Sequence, residues 1–122
     1  MALTKVTHDV LEGRYTSAQA VVSASTVTLD TSSHNVFTWT LGHNVEIKFT
    51  NVKIGTTATI VVTGASSAYT VTLPTSDGIN GASSTFNRVS GTLDNSNGTK
   101  NLIEFKFIST SECWYQISQI AS

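Results

Sequence analysis

Cysteine, proline and charged side chains are all scarce in this sequence of 122 residues. A single cysteine, Cys113, excludes a disulfide bond within the chain, and Pro74 is the only proline. Charged residues make up 12% of the chain, about half of the usual share. Seven lysines and arginines face eight aspartates and glutamates, which gives a net charge of −1. Since there is no basic surplus, we expect no binding to a nucleic-acid backbone.

Long apolar runs are also missing from the sequence. The longest aliphatic run, residues 60–62, is far shorter than the roughly 20 residues of a membrane-spanning helix. The first 16 residues contain no apolar stretch of the length that a signal peptide needs. We therefore expect no membrane association and no signal peptide, and we expect synthesis in the reducing cytoplasm of the producing cell.

Serine and threonine are abundant where charged residues are scarce, with 20 threonines and 16 serines in the chain. Many of them alternate with apolar residues in short runs, the pattern of half-buried β-strands. The sequence therefore predicts an all-β fold, an antiparallel β-sandwich or barrel of about seven to eight short strands. The predicted strands cover 20–29, 35–41, 45–50, 57–63, 69–73, 103–107 and 113–120.

The connecting segments are rich in residues that favour turns. Residues 64–67 are short enough to form a hairpin between the strands at 57–63 and 68–73. The stretch 75–101 is rich in glycine, serine and asparagine, and we expect it to form exposed loops.

We divide the chain into an arm at 1–18 and a β domain at 19–122. The arm holds at most one helical turn, capped by Thr7 and ended by Gly13. It is too short for a core of its own, so its apolar residues are candidates for docking onto a partner. These residues are Leu3, Val6, Val10 and Leu11.

Two parts of the chain together resemble a known group of proteins. The opening residues, from Leu3 to Leu11, resemble the start of many bacteriophage tail-fibre and tail-spike proteins. The body, over about residues 27–117, resembles a small β domain of phage fibres and other virion-surface proteins. The features that carry this likeness are Leu29-Asp30, Phe37, Leu41, Asn44, Ile47-Lys48-Phe49, Asn51, Gly55, Val71, Pro74, Ile103-Glu104-Phe105 and Trp114-Tyr115.

This resemblance implies a structural, non-enzymatic module that is exposed on the virion and is commonly a homotrimer. Its partners would be further copies of itself and other virion proteins of the capsid or tail. Because fibres of this kind are often several hundred residues long, a chain of 122 residues suggests either a capsid decoration or cement protein, or a short tail-fibre component.

The candidates for catalysis or metal binding are few. No nucleophile motif accompanies the three histidines, and nothing in the sequence pairs two carboxylates. Zinc-binding spacings are also missing, although a metal on a trimer axis needs one ligand per chain, so His34 and His43 stay open as candidates. We expect no enzyme activity and no cofactor.

The aromatic residues allow a second function, carbohydrate binding, through which the protein would recognise host glycans. Trp39 fits better in the core, because large aromatic side chains dominate small β cores. Trp114 and Tyr115 are neighbours in a predicted strand, so they point to opposite faces and one of them leaves the core.

The last two predicted strands carry apolar residues on both faces. A small monomer would leave some of these side chains in water, and exposed apolar patches usually mark interfaces. We therefore expect the chain to form a homo-oligomer through these strands. The predicted interface residues are Leu102, Ile108, Trp114, Tyr115, Ile117 and Ile120.

Overall fold

A computed structural model describes residues 17–120, which form nine β-strands and no helix. The predicted all-β class is confirmed. The strands are β1 (Gln19–Ala20), β2 (Thr26–Asp30), β3 (Val36–Thr40), β4 (Val45–Thr50), β5 (Thr57–Thr63), β6 (Val71–Thr72), β7 (Thr85–Ser90), β8 (Lys100–Phe107) and β9 (Glu112–Gln119).

The predicted amino-terminal arm lies almost wholly outside the described residues. Its four apolar residues, Leu3, Val6, Val10 and Leu11, all fall there. The first strand, β1, begins at Gln19, where the predicted β domain also starts.

The first six strands wind between two sheets as a β-solenoid. Sheet A has the strand order β1-β3-β5-β8-β9-β7, and sheet B has the order β2-β4-β6. Each coil gives one strand to each sheet and pairs in parallel with the next coil. Gln19 lies beside Phe37, 18 positions later, and Val36 lies beside Thr59, 23 positions later.

The last three strands extend sheet A beyond the coils. β8 runs antiparallel to β5, β9 runs antiparallel to β8, and β7 forms the outer edge in parallel with β9. Sheet A therefore has six strands and sheet B three, and Phe86 of β7 packs toward Phe49 of β4, with ring centroids 6.4 Å apart.

The predicted antiparallel sandwich or barrel is wrong in its strand pairing, since five of the seven pairings are parallel. The short connections in the sequence predicted hairpins, because two parallel strands that are neighbours in a sheet usually need a connection of about a dozen residues or more. Here the crossover is a strand of the opposite sheet, which needs no helix. The predicted hairpin at 64–67 is wrong for the same reason, because β5 and β6 belong to different sheets.

The expectation that 75–101 forms only loops is also wrong, since β7 lies within it. Five of the six residues of β7 are exposed, and Phe86 alone is half-buried. The strand has no apolar alternation that could reveal it, and it forms because β9 offers an edge for pairing.

The core lies between the two sheets and follows the two-residue alternation of the strands. Phe49 of sheet B packs against two phenylalanines of sheet A, with its ring centroid 4.9 Å from that of Phe105 and 5.1 Å from that of Phe107. Trp39 is buried, as predicted, with 6% of its surface exposed. The buried apolar residues are Val27, Leu29, Phe37, Trp39, Leu41, Val45, Ile47, Phe49, Val52, Ala58, Ile60, Val62, Ile79, Ile103, Phe105, Phe107 and Cys113.

One amide side chain, that of Asn101, is fully buried at the start of β8. Its Oδ1 accepts hydrogen bonds from the Asp94 backbone nitrogen (2.9 Å) and from Gln119 Nε2 (2.7 Å). Its Nδ2 donates to the Asp94 carbonyl at 2.8 Å. The amide thus fastens the loop before β8 to the end of β9.

The substitution Asn101→Ala should lower the free energy of unfolding by about 2–3 kcal/mol, because it removes the three hydrogen bonds of a fully buried amide. Chemical denaturation of the two proteins measures this difference. Asn97→Ala, at an exposed loop position, is the matched control and should change stability by less than about 0.5 kcal/mol. Equal stability of the two variants would contradict the role given to Asn101.

Candidate functional site

The outward face of sheet A carries most of the predicted interface. Leu102 of β8 and Trp114 of β9 point outward, Leu102 half-buried and Trp114 49% exposed. Ile108 and Ile120 follow the ends of these strands and are 45% and 70% exposed.

The other two predicted interface residues, Tyr115 and Ile117, lie on the inward face of β9. Both are half-buried against the core, and the Tyr115 ring stacks on that of Phe105 at 5.7 Å. They also line a cavity of about 330 Å³ between β8 and β9 of sheet A and β6 of sheet B. The prediction that Trp114 and Tyr115 face opposite ways is therefore correct, and only Trp114 belongs to the outward surface.

One row of outward side chains crosses five strands without a charge. The registers place Ala20 beside Thr38, Thr38 beside Val61, Val61 beside Leu102, and Leu102 beside Ser118. Because neighbouring strands lie about 4.8 Å apart, this row is about 19 Å long. We refer to these five residues as the uncharged row.

The same face has a different character on the side of Trp114. Glu104 and Gln116 are paired in register, as are Lys106 and Trp114. These side chains, with Thr57 and Thr59 of β5 and the exposed Val89 of β7, line a groove of about 290 Å³, which we refer to as the Trp114 groove. The outward face thus combines an uncharged, partly aliphatic row with a groove in which charged and amide side chains lie beside the exposed Trp114 and Val89.

The outward face of sheet B is more polar. Lys48 Nζ of β4 lies 2.6 Å from Asp77 Oδ2 in the loop after β6, and this hydrogen bond lowers the pKa of Asp77 and raises that of Lys48. At the turn after β2, the hydrogen bonds from Asn51 and Ser32 lower the pKa of Asp30. These carboxylates are held as structural acceptors in their charged forms.

The two candidate histidines are separate from each other and from any cluster. The ring of His34 meets that of Phe37 edge-on at 6.4 Å, and His43 Nδ1 lies 3.2 Å from Ser23 Oγ. Over residues 17–120, no group of three or more histidine, cysteine and acidic side chains comes together as a metal site. The same residues contain no helix long and apolar enough to cross a membrane.

The three comparisons with known proteins give no match: no family model, no curated protein and no solved structure is similar to this chain.

Two features of this surface were missed by the sequence reasoning. The uncharged row depends on strand registers, so no local pattern marks Thr38 and Val61 as neighbours of Leu102. The second feature is a hydrogen bond that Trp114 Nε1 donates to Glu112 Oε2 at 3.0 Å. The sequence did contain a signal for this contact, because residues two apart in a strand share a face.

Cys113 lies on the inward face of β9, and burial raises the pKa of its thiol to about 12. At pH 8 the thiol is therefore protonated as well as shielded, and the thiolate is the form that reacts. We expect no reaction of the folded chain with Ellman's reagent at pH 8 and one equivalent of thiol after unfolding in guanidinium chloride. Rapid, complete reaction of the folded protein would contradict this placement.

Proposed function

We propose that this chain is a non-enzymatic structural protein of a bacteriophage virion. It is a homo-oligomer on the particle surface, made in the host cytoplasm, and serves either as a capsid decoration or cement protein or as a short tail-fibre component. The choice of three subunits and of the virion rests on the sequence resemblance described above. The self-association rests on the outward face of sheet A.

The observation that carries the proposal is the uncharged row. Outward sheet faces that stay in water usually carry many polar and charged residues, as sheet B does with Glu46 and Lys48. In the uncharged row, two aliphatic side chains, Val61 and Leu102, occupy the two adjacent central strands. Both are half-buried in the single chain, and a second copy packed on this face would cover the rest.

A sheet-on-sheet contact of this kind agrees with the composition of the row. The cores of protein contacts are poor in charged residues, and two sheets pack face to face at about 10 Å with interdigitating side chains. The exposed Ile120 lies close to the same end of the face, since its backbone nitrogen donates to the carbonyl of Lys100. Its exposed side chain adds apolar surface to this region.

The revised interface thus keeps Leu102 and Ile120 from the sequence prediction and adds Thr38 and Val61. Trp114 falls outside it, next to Glu104, Lys106 and Gln116. Tyr115 and Ile117 do not face the partner copy. They lie on the core side of β9 and support this strand from within.

Leu102→Asp should convert the oligomer to monomers. An unpaired carboxylate buried in the contact costs several kcal/mol, which raises the dissociation constant about a thousandfold or more. Size-exclusion chromatography with light scattering measures the mass, and circular dichroism checks that the variant is folded.

Thr28→Asp is the matched control, because Thr28 is exposed on the outward face of sheet B. It should leave the oligomer intact. If the control and Leu102→Asp give the same mass, the contact does not use the uncharged row. Val61→Asp provides a second test at the neighbouring position of the row.

We also propose that the amino-terminal arm attaches the oligomer to the particle. A chain lacking residues 2–16 keeps every strand described here and should fold and oligomerise as before. In particles assembled with this shortened chain, its copy number by mass spectrometry should fall at least tenfold. An unchanged copy number would assign attachment to the β domain instead.

A further inference from the structure

The Trp114 groove lies beside the uncharged row on the outward face of sheet A, and its chemistry is different. Two rows of paired residues line it, together with the exposed Val89 of β7. Thr57, Lys106 and Trp114 follow one another across β5, β8 and β9, and Thr59, Glu104 and Gln116 form the next row. The groove has a volume of about 290 Å³, close to the lower limit of small-ligand sites.

Trp114 is held in place by its own strand and by β7. Its Nε1 donates to Glu112 Oε2 at 3.0 Å, and Asn87 Nδ2 donates to the same oxygen at 3.1 Å. The polar atom of the indole is therefore satisfied within the protein, while 49% of the side chain stays exposed. A fixed aromatic surface of this kind binds a ligand without much further loss of conformational entropy.

The strands that form the groove carry hydrogen-bond donors and acceptors at positions adjacent to the Trp114 ring. Lys106 is a donor, Glu104 is an acceptor, and the amide of Gln116 lies 3.4 Å from Glu104 Oε1. Thr57 and Thr59 add hydroxyl groups from β5. The two charges are of opposite sign and two residues apart, so the groove has no net charge.

These features match the surface of a sugar ring. A pyranose presents an apolar face of C–H groups, which stacks on an aromatic ring, and a rim of hydroxyl groups, each of which both donates and accepts hydrogen bonds. The core of a protein contact is instead depleted of charged residues, and here Glu104 and Lys106 lie beside the aromatic ring. The absence of net charge in the groove favours a neutral sugar over an acidic one.

We propose that the Trp114 groove binds a neutral saccharide, which stacks on Trp114 and forms hydrogen bonds with Glu104, Lys106 and Gln116. This binding site goes beyond the structural role proposed above. Because the groove and the uncharged row occupy different parts of the face, binding and self-association can be lost separately.

The experiment uses the full chain on an array that carries both neutral and acidic glycans, followed by titration of the best neutral glycan with isothermal titration calorimetry as the readout. We expect binding to neutral glycans and at least a tenfold loss of affinity in Trp114→Ala. Ile54→Ala is the matched control, since it truncates another exposed apolar residue, which lies outside both the groove and the revised interface, and it should leave the affinity unchanged. Thermal unfolding checks that both variants are folded.

Two further variants keep the test decisive if Trp114→Ala does not fold. Trp114→Phe retains an aromatic ring and should bind more weakly than the unchanged protein, and Gln116→Ala should lose affinity while leaving the ring in place. The proposal is overturned if no glycan on the array binds, if only acidic glycans bind, or if the Trp114 and Gln116 variants bind as tightly as Ile54→Ala. Unchanged oligomeric mass in a variant that has lost binding would show that the two properties are separate.

Discussion

The parallel stacking of β1, β3 and β5 is the constraint on which the rest of this structure depends. In a parallel register, equivalent positions of successive coils point the same way and lie about 4.8 Å apart. The inward positions of β3 and β5 supply Phe37, Trp39 and Ile60 to the core. The outward positions of the same strands set the surface, and a few threonines and valines there leave it without charge. Because charged residues are scarce in the sequence, the outward face of these strands is suited to contact with another copy.

The carboxy-terminal strands widen sheet A beyond the coils of the solenoid. β8 and β9 continue sheet A past the last coil, while sheet B ends at β6. Tyr115 and Ile117 face inward against the core, and the chain after β7 passes close to the backbone of Ile117 at Gly91. This glycine has a φ of +82°, and a Cβ there would lie 1.8 Å from the Ile117 carbonyl oxygen. The backbone can pass this close to β9 only because the residue has no side chain.

The sequence predicted individual strands better than their partners. The alternation of Val45–Thr50 and the apolar run of Thr57–Thr63 matched β4 and β5 to the residue, because each pattern is local. The pairing of β5 with β3 and β8 is decided by packing between distant segments, so the predicted hairpin failed. β7 carries no apolar alternation and exists only as a partner of β9. In the candidate site, alternation alone placed Trp114 and Tyr115 on opposite faces, but only the folded chain shows that Trp114 is the outward one. The uncharged row likewise required registers that only the folded chain provides.

Self-association through sheet A links the fold to the proposed function. The mass of the native protein in solution tests this self-association most directly. Native mass spectrometry of the unmodified full chain at micromolar concentration should give three times the chain mass of 13.0 kDa. Any other closed multiple would keep the shared contact and change the number of subunits inferred from the resemblance. A single peak at the mass of one chain, in a folded state and at every concentration examined, would contradict the account.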